Sequence, residues 1–213
     1  MGCEKLGKDK RTCKVTKGKC YRGRKGQCEY YRSYWRPLFK KIDGRLPKSC
    51  REIMTELRKN FRENWRKHAE NSGRKVGGRN VLSSPFEKSI SNYVRRVLGY
   101  PDNAKLKGEI YGNNWDIVVE KNGSPACLIS LKTYIGYEQI RETFASAYVA
   151  KRKNKNIEVY MVAIRPTGRN KDMDENAKKM KDYLRSYNRY IDDVFYLTAK
   201  PYFSDLTKKL KGK

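Results

Sequence analysis

The sequence predicts an α/β domain on a mixed sheet, with a basic, cysteine-rich extension at its N-terminus. Two observations predict it. From residue 81, helix-like and strand-like segments alternate in the order α-β-β-β-α-β, followed by α-β-α. Over residues 1–36, Lys, Arg, Gly and Cys crowd out aliphatic residues, leaving nothing from which to build a core. The expected division is a basic Cys-rich extension at 1–48, an amphipathic helix and Gly-rich connection at 49–80, and the core at 81–213.

The elements follow in order. Residues 49–70 place Ile53, Met54, Leu57, Phe61 and Trp65 at helical spacing, with Ser49 or Cys50 at the start. Residues 71–80 read as a glycine-rich connection. Ser83 or Ser84 caps the next helix, with Pro85 in its first turn and Glu87 at capping-box spacing from Ser84. Gly99 ends it. Strands are expected at 107–111, 115–120 and 126–133, with Asn122-Gly123 as a turn signal. A helix follows at 137–152. The run 157–165 is apolar enough for a central strand. A helix at 171–188, a strand at 193–198 and a helix at 201–211 complete the chain.

Charge narrows the function. In 213 residues, 50 Lys and Arg oppose 23 Asp and Glu, a formal +27. Such an excess repels itself unless a polyanion is the partner, and nucleic acid is the leading one. The 38% hydrophobic fraction supplies a core but contains no 18-residue apolar run, so a membrane span is not expected. The basic N-terminus lacks an apolar segment behind it, which predicts a cytoplasmic chain whose six cysteines are not disulfides.

Two residues stand out inside the apolar strands. Asp116 opens one, and Lys132 closes the next with Ser130 two before it. Burying either is costly unless it is used. Alternation puts Ser130 and Lys132 on one face. Asp116 shares that face only if the hairpin has the right parity. A two-residue Asn122-Gly123 loop pairs it with Ile129, on the wrong side. Pro125 cannot donate to a ladder, so a wider turn or a bulge is expected. An acid and an amine so placed suit Mg²⁺-assisted phosphodiester hydrolysis: the carboxylate and a carbonyl hold the ion, and the amine orients water or neutralises phosphate. The competing reading makes Asp116 a turn cap and Lys132 a strand-edge charge.

The element order, with Asp116 on the second strand and Ile129-Ser130-Leu131-Lys132-Thr133 on the third, resembles the PD-(D/E)XK nuclease superfamily. Within it, the type II restriction endonucleases with an S-x-K form of the motif are nearest. The resemblance covers residues 84–165 and implies a restriction-endonuclease-like core. The usual acid two before the lysine is Ser130 here. By the resemblance, a glutamate on the following helix substitutes: Glu142, with Glu138 the alternative one turn earlier. It further implies Glu87 near the metal and the Leu131 carbonyl as a ligand, giving Asp116, Leu131 and Glu142 around Mg²⁺.

In the extension, Cys3, Cys13, Cys20 and Cys28 suit one tetrahedral Zn²⁺ that would fold the segment, with Cys50 a substitute. Cys127 reads as core. Arg22, Arg24, Lys25, Arg32 and Arg36 interleave with Tyr34 and Trp35, as phosphate contact and stacking require. With His68 the single histidine, histidine-based nuclease chemistry is excluded. The expectation is a sequence-specific double-stranded DNA endonuclease with catalytic Mg²⁺ and structural Zn²⁺, acting as a homodimer on palindromic sites. The alternatives are a Holliday junction resolvase or repair nuclease on the same core, and a non-enzymatic zinc-dependent nucleic-acid binder.

Overall fold

The computed structural model describes residues 46–71, 78–167, 172–187 and 190–211. Its helices are α1 (Lys48–Asn71), α2 (Gly78–Leu98), α3 (Tyr137–Lys153), α4 (Met173–Tyr187) and α5 (Phe203–Lys211). Its strands are β1 (Gly108–Ile110), β2 (Asn113–Trp115), β3 (Ile117–Lys121), β4 (Ser124–Ile135), β5 (Glu158–Pro166) and β6 (Asp193–Tyr196). The chain forms two compact units, Met1–Leu46 with Arg51–Ser89 and Pro47–Cys50 with Ile90–Lys213, so the division falls inside α2. Among the described residues no helix is long and apolar enough to cross a membrane.

In the first unit, Ile53, Met54, Leu57 and Phe61 of α1 are buried at the predicted helical spacing. The start of α2 differs from expectation. The helix begins at Gly78, so Pro85 lies in its interior, and Ser84 and Glu87 do not stand at its N-terminus. An interior proline forfeits a helical hydrogen bond, at about 3 kcal/mol. Packing offsets that cost here. Pro85 and Phe86 are buried, Asn60 Nδ2 donates to Ser89 Oγ at 2.9 Å, and that hydroxyl donates to the Pro85 carbonyl at 2.8 Å.

In the second unit, β3-β4-β5-β6 form a mixed sheet, antiparallel between β3 and β4 and parallel thereafter. Parallel neighbours require crossovers, which α3 and α4 supply. Every residue of β5 from Val159 to Ile164 is buried, as its unbroken apolar run predicts for a strand covered on both faces. On one face, Val118, Leu128, Met161, Ala163 and Val194 pack with Ile140, Ala147 and Ala150 of α3 and Ala177, Met180 and Leu184 of α4. The other face carries Ile129, Tyr160, Val162 and Phe195. There α5 sets Lys209 over the Tyr160 and Phe195 rings, and its Phe203 meets Tyr93 of α2 at 5.6 Å. Burial and the bonded Glu158 carboxylate push the pKa of the Tyr160 hydroxyl up.

Strands β1 and β2 make a separate hairpin, closed by Tyr111 and Gly112 at φ 53° and 77°. Asn122 and Gly123, at φ 53° and 73°, close β3 and β4 in the same way. Paired positive φ values belong to the primed two-residue turns that match strand twist. The loop is therefore the two-residue one, and the wider turn favoured by Pro125 does not form. The bulge does. Val119 faces Cys127 while Glu120 faces Pro125, which leaves Ala126 as the extra residue. Beside a bulge, at the hairpin end, the missing proline donor is tolerated.

Candidate active site

The bulge sets the parity of everything that follows. After it, Ile117 pairs with Ile129, and continuing that register by one step places Asp116 opposite Ser130. Asp116 is not inside a strand as expected: it is the bend where β2 ends and β3 begins. Trp115, just before it, is anchored in the core. The β3–β4 ladder stops at Ile129, so the next β4 amide pointing that way lacks a strand partner in β3. The Asp116 carboxylate takes that place: Leu131 N–H donates to Asp116 Oδ2 at 2.7 Å. A charged acceptor on a backbone amide makes a short, strong bond, which fixes the carboxylate.

Lys132 follows Ser130 on the same face by alternation, one residue beyond the Leu131 amide that holds Asp116. Its ammonium lies 3.3 Å from Glu142 Oε2. The two side chains are 31% and 60% exposed. So open a pair contributes at most about 1 kcal/mol to stability. It orients the amine more than it holds the fold. Glu142 reaches this position because α3 starts directly after β4. At the junction, Gly136 N–H donates to Gln139 Oε1 at 3.1 Å, and Thr167 N–H donates to the Ile135 carbonyl at 2.7 Å. A Cβ on Gly136 would stand 3.2 Å from Thr167 Cβ and Oγ1, so a side chain there requires the Thr167 side chain to give way by a few tenths of an ångström.

Asp116 and Glu142 are the two carboxylates of the expected Mg²⁺ set. Among the described residues no three His, Cys, Asp or Glu side chains group around a metal position. The expected set has only two carboxylates, and Mg²⁺ is held by one or two with water completing its shell. In an extended strand the N–H and C=O of one residue point to the same side. The Leu131 carbonyl therefore faces the side on which its own N–H meets Asp116.

The other expected residues fall as follows. Ser130 is half-buried. Glu138 is exposed in the first turn of α3, and it is Glu142 that meets Lys132. Glu87 is half-buried within α2 and belongs to the first unit, whereas Asp116, Lys132 and Glu142 belong to the second. Cys50 and Cys127 are buried and in no disulfide. Cys3, Cys13, Cys20 and Cys28 lie outside the described residues, as do Arg22, Arg24, Lys25, Arg32, Arg36, Tyr34 and Trp35.

Sequence reasoning missed one tie. Ser146 Oγ of α3 donates to Asn113 Oδ1 of β2 at 2.9 Å. Ser146 lies one turn beyond Glu142, and Asn113 lies just before Asp116. The bond thus links the two elements that carry the carboxylates. A serine on a helix and an asparagine in a short strand carry no signal of pairing. The chain matches no protein-family model, and no curated protein matches it.

Proposed function

We propose that the chain is a Mg²⁺-dependent endonuclease acting on double-stranded DNA, with Asp116 and Lys132 at its centre. One observation supports the reading: the Asp116 carboxylate is clamped on the Leu131 amide, one residue from Lys132, whose ammonium is turned toward Glu142. Asp116, the Leu131 carbonyl and Glu142 would hold the ion, which supplies an activated water and charge neutralisation at phosphorus. Lys132 orients the attacking water or a phosphate oxygen as negative charge builds. The +27 charge supports a polyanionic substrate. Within this reading, a type II restriction enzyme on a palindromic site acts as a C₂ dimer, one site per strand.

The test is incubation of plasmid DNA with the protein and Mg²⁺, beside Lys132→Ala. Discrete fragments from the parent, with the variant slowed by about 10²–10³, are expected. Cleavage of four-way junctions but not linear duplex assigns a resolvase instead. Absence of cleavage with Mg²⁺ or Mn²⁺ leaves only a nucleic-acid binder. The four N-terminal cysteines are proposed to hold one Zn²⁺. Mass spectrometry of the native protein then shows one zinc per chain, and a metal-free mass removes that proposal.

A further inference from the structure

The outward sector of α3 has an unusual composition. Tyr137, Arg141, Ala145, Tyr148 and Arg152 follow one another at three- and four-residue intervals, and all are exposed. Tyr137 and Tyr148 are 48% and 37% exposed, two of the three large exposed hydrophobics among the described residues. One exposed acid, Glu138 in the first turn, flanks the stripe. Glu142 lies to its side and is occupied with Lys132.

The stripe is also held rigid. The Tyr137 ring meets Tyr183 of α4 edge-on at 4.5 Å, and Arg141 Nε donates to the Tyr183 hydroxyl at 3.1 Å. The Tyr148 ring meets Tyr190 at 5.1 Å, with the Arg152 guanidinium 5.8 Å from its centre. A guanidinium stacked on a ring loses little further freedom when it binds phosphate. Long exposed cations usually lack that advantage. From Tyr137 to Arg152 the helix rises roughly 22 Å, about six base-pair steps of duplex.

We infer that this stripe of Tyr137, Arg141, Tyr148 and Arg152 is a track for the phosphate backbone of duplex DNA, an inference that rests on reading the chain as a DNA-binding protein. Arginine and tyrosine both donate to phosphate oxygens. Charge selects the occupant: Arg141 and Arg152 outweigh the flanking Glu138, so two copies of the stripe repel, whereas a polyanion is drawn to it. Glu142 of the candidate site is on the same helix, so the track delivers the backbone beside Lys132.

The test uses the full chain, a fluorescein-labelled duplex, and Ca²⁺ in place of Mg²⁺ to suppress cleavage. Anisotropy titrations across a salt series compare the parent, R141Q/R152Q, and Lys208→Gln on the opposite layer. The double variant is expected to bind about tenfold more weakly, with its salt slope reduced by about 2. The Lys208 variant changes the slope by no more than about 1. A merely structural role would lower the melting temperature but leave the slope intact, and that result overturns the track. So does a parent dimer that becomes monomeric in the double variant at unchanged slope, which makes the stripe a contact between chains. A parent chain that binds no DNA overturns the track and the nuclease reading together. A parent that binds and cuts, with an unchanged double variant, overturns the track alone.

Discussion

Asp116→Asn is expected to reduce DNA cleavage by at least about 10³ while leaving the fold stable to within about 1 kcal/mol. The asparagine oxygen still accepts from Leu131 N–H, the bond now made at 2.7 Å, but the charge that would hold a cation is gone. Asp116→Ala separates the two roles. It strands the Leu131 amide, which costs a further 1–3 kcal/mol or so, yet cleavage falls no lower than in the asparagine variant. Urea denaturation read beside plasmid cleavage distinguishes them. An asparagine variant that cuts within tenfold of the parent shows that Asp116 serves only as a strand-end cap.

Phe195→Ala is expected to cost about 3–5 kcal/mol, the largest stability loss considered. Phe195 is 1% exposed. Its ring packs against Tyr160 at 5.6 Å, and Lys209 covers both rings. β6 has four residues and pairs with β5 alone in the sheet, and α5 lies over it. With partners on both sides fixed, the surroundings cannot collapse into the vacated volume. The midpoint of urea unfolding checks this, since a loss under about 1 kcal/mol would mean that β6 shifts to fill the space. Lys209→Ala, which removes only the covering stem, should cost far less.

Much of the second unit was legible. The apolar run of 157–165 indicated a strand with both faces covered, because a central parallel strand has no polar face. Asn122-Gly123 marked its turn because that turn demands positive φ at both positions. The helices expected at 137–152, 171–188 and 201–211 form at Tyr137–Lys153, Met173–Tyr187 and Phe203–Lys211. What the sequence concealed was set by tertiary partners. Pro85 reads as a helix start by local rules, but burial and the Asn60–Ser89–Pro85 chain carry the helix through it. Residues 115–120 read as one strand, yet Asp116 breaks the stretch into Asn113–Trp115 and Ile117–Lys121 and meets the Leu131 amide. In the candidate site, Asp116, Ser130 and Lys132 could be placed on one face once parity was known. Glu142 and Glu138 were both candidates for the substituting acid, and spacing alone could not show that Glu142 is the one beside Lys132.

The unpaired Ala126 makes the hairpin behave like a reading frame. Because strand side chains repeat every two residues, removing that alanine, or inserting one residue between the turn and Asp116, would exchange the buried and reactive sides of the edge strand. Length changes in this segment are therefore tolerated only in compensating pairs. Chains of this architecture with a longer or shorter turn should carry a matching gain or loss of one bulge.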